Sequence, residues 1–169
     1  MIYIRTLTPS DAEVYRALRL QSLQQHPEAF LSSYKAEAKL SIETTRIKLD
    51  SSDEHFTLGA FLDGEQRLAG MATLFRESRP KIQHKAHVYA VYVDPGARKH
   101  GTGRALMLEL IARAKAAPGL ELLMLTVTSH NVPAKRLYES LGFVRYGTEP
   151  KAMKLGSEYL DEDLMVLML

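Results

Sequence analysis

The 169-residue chain contains no cysteine. That absence excludes disulfides, thiolate metal ligands and a cysteinyl acyl-enzyme. Charge of one sign is also lacking: 22 lysines and arginines against 20 acidic residues leave a net +2, too little for a general nucleic-acid binder. No apolar run approaches the roughly 20 residues that cross a bilayer. The opening "MIYIRTLTPSDAE" has no basic segment leading into a long apolar stretch, so no signal peptide is expected. Six histidines are present without an HExxH pair, and His84 and His87 in "HKAH" are too weak a spacing to predict a metal. These absences describe a cytoplasmic chain with no metal, membrane or nucleic-acid partner. Its length suits one domain, 1–169, with a sizeable core and no repeat or linker.

The hydrophobic pattern orders the elements. "IYIRTL" alternates with period 2 and predicts a strand. "TPSDAE" follows with helix-start chemistry, Thr8 or Ser10 capping and Asp11 or Glu13 at capping-box distance. The helix runs to about Gln25, with Val14, Ala17, Leu18 and Leu20 as its apolar face. A weaker helix covers residues 42–49, and two strands flank Asp63-Gly64, a hairpin signal. "AHVYAVYV" predicts the central strand. A helix over residues 102–116 buries Leu106, Leu110, Ile111 and Ala114 and stops at Pro118-Gly119. The apolar run "LELLMLTVT" predicts a strand buried on both faces. "NVPAKRLYESLGF" predicts a helix capped by Asn131 and closed at Gly142, and "FVRYGTE" and "DLMVLML" give two last strands. The order β-α-α-β-β-β-α-β-α-β-β is a single mixed α/β domain.

Chemistry concentrates in "VDPGARKHGTGRAL". A strand entering a glycine-rich turn and then a helix is a phosphate-binding arrangement: glycines let main-chain N–H groups approach, and the helix start adds partial positive charge. A nucleoside triphosphate loop requires lysine where Thr102 stands. A dinucleotide fold requires a small residue where Leu106 stands, and Glu121 begins a strand instead of ending one. What remains is R-x-x-G-x-G, carried by Arg98, Gly101 and Gly103 behind the strand end "VYVDP".

With "NVPAKRLYESLGF" about thirty residues on, this pattern resembles the GCN5-related N-acetyltransferase (GNAT) family. Its pyrophosphate loop, V-x-P lead-in and N-x-x-A-x-x-L-Y-x-x-x-G-F signature all find counterparts, and the order of elements agrees from end to end. The resemblance implies the acyl-CoA N-acyltransferase fold, with a V-shaped splay between the two central strands. It implies acetyl-CoA as cosubstrate. Amides of Lys99, His100, Gly101, Thr102, Gly103 and Arg104 would cradle the pyrophosphate, in cationic surroundings from Arg98, Lys99, His100 and Arg104. Val91, Tyr92 and Val93 would pair with the pantetheine arm and offer an N–H to the developing oxyanion. Asn131 and Lys135 fall on the cofactor side of the second signature. Tyr138 stands at the family's tyrosine near the sulfur, where a phenol that stays protonated at neutral pH can protonate a leaving thiolate.

The acceptor amine must lose a proton before it attacks. His87, eleven residues before Arg98, stands where some members carry a catalytic glutamate, and period-2 parity puts it on one face with Tyr89 and Val91. His84 and Glu28 are lesser candidates. The expected activity is direct acetyl transfer from acetyl-CoA to a primary amine of a small molecule, against the alternative of a non-catalytic acetyl-CoA sensor. The segment 22–40 and the loop 76–85, which would wall the acceptor site, carry no readable pattern. The apolar last strand suggests a homodimer.

Overall fold

The computed structural model describes residues 1–62 and 67–169. The expected turn at Asp63-Gly64 lies outside the described residues. Among the described residues, seven strands form one sheet in the order β1-β2-β3-β4-β5-β7-β6. They are β1 (Ile2–Thr6), β2 (His55–Leu62), β3 (Leu68–Arg76), β4 (Lys85–Val93), β5 (Leu122–Thr128), β6 (Val144–Leu155) and β7 (Glu158–Met168). The helices are α1 (Ala12–Gln25), α2 (Tyr34–Glu37), α3 (Ile42–Lys48), α4 (Thr102–Ala116) and α5 (Val132–Ser140). The short α2 adds one element to the expected order. Four residues are too few to print a helical period.

Helix α4 packs on one sheet face through Leu106, Met107, Leu110, Ile111 and Ala114, all 7% exposed or less. Each such side chain taken from water stabilises the fold by about 1.5–3 kcal/mol, Ala114 by less. Helix α1 covers the other face, where Tyr15 and Leu18 meet Leu7, Met71 and Tyr92. Its buried stripe is Ala12, Tyr15, Leu18, Ser22 and Leu23, which corrects the expected face: Val14 and Ala17 are exposed. The helix is rotated by its entry, where Thr8 N–H donates to the Asp11 carboxylate (2.8 Å) and Arg5 grips that carboxylate with two nitrogens, each at 2.8 Å. That anchoring puts Ala12 and Tyr15 against the sheet.

Strand pairing is antiparallel except between β4 and β5. Those two central strands pair in parallel only from Lys85–His87 to Leu122–Met124 and then part. The cause lies in β4. Ala90 has φ +53°, and the β3–β4 register slips between Met71 and Thr73, so Ala90 and Val91 together oppose Ala72. Such a bulge bends and twists the strand that bears it. The expected splay is therefore present. Strand β7 lies between β5 and β6, burying Met165 and Leu167 on one face and leaving Met168 71% exposed on the other.

Candidate active site

The loop after β4 is built by Asp94, whose carboxylate accepts the Gly96 N–H at 2.8 Å and starts a single turn over Pro95–Ala97. Thr102 is 1% exposed and donates its hydroxyl to Ala97 O at 3.0 Å, bracing the loop from beneath. Lys99 (φ +67°) and Gly101 (φ +77°) take left-handed conformations, which turn successive amides toward a common side. The N–H groups of residues 99–104 make no hydrogen bond within the described residues. Six consecutive free donors at the start of a 15-residue helix form an anion cradle. Gly103 supplies closeness of another kind: a Cβ there would sit 3.4 Å from Leu137 and 3.5 Å from Val93. Leu106, bulky where a dinucleotide fold needs a small residue, lies over Gly70 of β3 instead.

The basic side chains divide. Lys99 and His100 are exposed around the cradle. Arg98 turns back, donating Nε–H to Val93 O (2.9 Å), lying 3.1 Å from His26 Nε2 and stacking over Tyr92 at 5.7 Å. Arg104 donates to Ser140 Oγ at 3.0 Å. Lys135 lies against Asp163, Nζ to Oδ2 2.6 Å, with Asp163 1% exposed. The Lys135 hydrogen bond, against the burial that opposes it, holds the Asp163 carboxyl down at about 2. The charge of Lys135 is thus matched within the protein.

In an antiparallel pair, alternate residues direct their main-chain groups to the partner strand. Asp94 N–H reaches Ala69 O of β3 at 2.9 Å, so Tyr92 also addresses β3, while Val91 and Val93 address the gap left by β5. Val93 O is taken by Arg98, leaving Val91 as the open main-chain position in the splay. The Tyr92 side chain is 5% exposed, its hydroxyl donating to Gln25 Oε1 at 2.9 Å. The bulge also corrects the parity expected for β4: Val91 packs with Ala86 and Val88 on the α4 face, away from the face of His87 and Tyr89.

A cleft of about 600 Å³ occupies the splay. It runs through the sheet, since Tyr138 on its wall belongs to the core of one face and Phe30 packs on the core of the other. Tyr138 is 7% exposed, meets Phe143 edge-on at 5.9 Å, and its hydroxyl has no hydrogen-bond partner among the described residues. Burial pushes its phenol up to about 12. Asn131 also lines the cleft, and its Oδ1 accepts the Ala134 N–H at 3.3 Å as the cap of α5.

His87 does not line this cleft. It lies at the last paired position of β4–β5, its Nε2 3.0 Å from Glu77 Oε1. His84 precedes β4 at the closed end of the splay, its carbonyl accepting Glu121 N–H at 2.8 Å. Glu28 faces His26 at 3.3 Å, beside the cleft-lining segment 29–32. Three charged residues that sequence reading missed do line the cleft: Arg19, Glu149 and Glu162. Arg19 is held by the Glu37 carboxylate, with donors at 3.1–3.3 Å, and lies over Phe30. Glu149 and Glu162 are register partners on β6 and β7. Their signal is present in "GTEP" and "DEDL", but only the register brings them together. Among the described residues, no three His, Asp or Glu side chains gather as a metal site, and no helix is long and apolar enough to cross a membrane.

Comparison with known proteins matches residues 15–143 to the Acetyltransferase (GNAT) family. A mycothiol acetyltransferase of Thermobispora bispora is 32% identical over 152 residues, covering 86% of this chain and 47% of that protein. The L-amino acid N-acetyltransferase AaaT of Escherichia coli is 32% identical over 104 residues, 62% of each chain. A solved structure, the acetyltransferase of GNAT family from Streptococcus pneumoniae, superposes with a TM-score of 0.88 at 28% identity over 100% of both chains. The chain spans about half the length of the mycothiol acetyltransferases that it matches.

Proposed function

The chain belongs to the acetyltransferase (GNAT) family, and on that premise we propose that it transfers the acetyl group of acetyl-CoA directly to a primary amine of a small molecule. Acetyl-CoA is this family's acyl donor. The observation that carries the reading is the row of six unpartnered N–H donors, residues 99–104, set beside a strand whose open main-chain position faces a cleft. The cradle suits a diphosphate, and the unpaired edge of β4 suits an amide-bearing arm that adds to it as a strand does.

Acetyl-CoA supplies an activated acetyl group: the amine nitrogen bonds to the thioester carbon, the carbon–sulfur bond breaks, and the sulfur leaves needing a proton. Val91 N–H supports the carbonyl oxygen as negative charge develops. Tyr138 donates a hydrogen bond and then a proton to the sulfur. With the phenol at about 12 it stays protonated at neutral pH, though lifting it from 10 weakens it as an acid by about 3 kcal/mol. His87, oriented by Glu77, takes the amine proton through water, since it stands outside the cleft wall. Lys99 and His100 add positive charge around the cradle. Arg98 shapes the loop through Val93 O, and Lys135 fixes α5 through Asp163.

The names of the relatives, an acetyltransferase of mycothiol and one of L-amino acids, support a small soluble acceptor. We take the working form to be a cytoplasmic homodimer using the half-exposed β7 face. A monomeric mass by light scattering at micromolar concentration would end that part of the reading. The main test is an amine-library screen monitored by free thiol. Release that depends on acceptor supports the enzyme. Tight acetyl-CoA binding by calorimetry with no acceptor-dependent release would point to a non-catalytic sensor.

A further inference from the structure

A second cavity, of about 270 Å³, adjoins the cleft. Arg19, Ser32, Tyr89 and Ala90 line both, so the bulge of β4 is part of their shared wall. A guanidinium presents its N–H groups as forks, each shaped to one carboxylate. In Arg19, Nε and Nη2 are spent on Glu37 at 3.1–3.3 Å, and Phe30 lies under the plane at 5.0 Å. The remaining fork, Nη1 with the second N–H of Nη2, meets no acceptor among the described residues, and Nη1 is buried. A buried charged donor without an acceptor is an unfavourable arrangement that a ligand's anion completes. Residues 30–32 line the cleft beside it and make no main-chain hydrogen bond among the described residues. That strip of wall can give as a ligand reaches the fork.

The two cavities differ in sign. The second also carries Lys48 and His55, so its two permanent cations, Arg19 and Lys48, face the single carboxylate of Glu37. Glu149 and Glu162 stand on the cleft wall and not on this one. Val91 and Tyr138, which serve the transfer, line the cleft alone. An acceptor that reacts in the cleft therefore places a negative group across Ala90, in the second cavity.

We propose that this cavity is a carboxylate subsite seated on the free fork of Arg19, and that the protein selects amines that carry a carboxylate, the class of amino acids. The inference rests on the acetyltransferase reading. A planar fork fits carboxylate and phosphate alike. Glu37 on the same guanidinium decides between them: one net positive charge matches a monoanion, and a dianion exceeds it.

The experiment measures thiol release with the common α-amino acids and 4-aminobutanoate, each beside its own primary amide, which lacks the negative charge. The best wild-type acid should exceed its amide about tenfold in kcat/KM, and that ratio should fall to near unity in Arg19→Lys, which keeps the charge and loses the fork. Should Arg19→Lys fail to fold, Lys48→Glu, an exposed position, carries the test and should cut the ratio at least threefold. With coenzyme A bound, the same acid at millimolar concentration should raise the wild-type Tm by about 2 °C or more, and its amide by less than half of that. Amides that match their acids throughout, a ratio that survives the substitutions, or a preference for O-phosphoethanolamine over every carboxylate would overturn the subsite. Thiol release with no acid preference sinks this inference and leaves the acetyltransferase standing. A carboxylate-dependent Tm shift that Arg19→Lys abolishes, with no thiol release from any amine, does the reverse.

Discussion

Replacing Lys135 by methionine separates a structural lysine from a phosphate-binding one. In the wild type, Asp163 is buried on β7. It receives Lys135 at 2.6 Å, the Ser129 hydroxyl at 2.8 Å and the Thr148 hydroxyl at 3.0 Å. Its carboxyl at about 2, against an ordinary 3.8, corresponds to about 2 kcal/mol, trimmed by solvent at the lysine, whose side chain is 23% exposed. Lys135→Met leaves the buried anion with only the Arg145 guanidinium, 4.0 Å from Oδ1, as counter-charge, and losing the partner costs about 3–5 kcal/mol at a fully buried pair. With two hydroxyl donors remaining, about 2–3 kcal/mol is expected here, or a Tm lower by about 5–10 °C. Because the native pKa is depressed, the contribution is present above pH 3.8 and is lost as pH falls through about 2. The gap between wild type and variant should therefore hold from neutrality down to about pH 4 and narrow from there toward pH 2. Calorimetric melting from pH 3 to pH 7 measures this, and titration with acetyl-CoA at reduced temperature should give a dissociation constant within about twofold of wild type. An unchanged Tm together with acetyl-CoA affinity weakened tenfold would refute the ion-pair account and return Lys135 to the phosphates.

Tyr138→Phe should lower kcat by about 10–100-fold, the low end for a proton donor given its raised pKa, with KM for acetyl-CoA within threefold and Tm no lower, because the hydroxyl it removes has no partner. Unchanged turnover removes Tyr138 from proton transfer. At Gly101, alanine meets nothing within 4 Å, so only the φ of +77° opposes it. A loss of about 1 kcal/mol in stability is expected, with about tenfold weaker acetyl-CoA binding where the methyl crowds the cradle. Equal affinity in that variant would count against the cradle. His87→Gln should reduce kcat about tenfold without altering acetyl-CoA binding, and full activity would assign proton removal elsewhere.

Much of the frame was legible because its signals are local. Helix α4 falls on residues 102–116 as its apolar spacing predicts, and Asn131 caps α5 through its own side chain. The bulge was not legible: nothing in "VYAVYV" marks Ala90 for a left-handed conformation, and tertiary pairing imposes it. That hidden residue inverted the expected face of Val91. Lys135 and Asp163 stand 28 positions apart, so their pairing depends on how β7 threads between β5 and β6. The Glu149–Glu162 row arises in the same way, from a register that no short window contains.

The three residue pairs joining β4 to β5 have a mechanical consequence. The sheet is two panels, β1–β4 and β5–β7, riveted at one end and held elsewhere by the side-chain core that they share. A ligand arm lying along β4 would act as a tie between panels, so cofactor loading should slow hydrogen exchange in β5 and β7 as well as in the strand it touches. Opening of the smaller panel would then set the rate at which an empty protein yields to proteases.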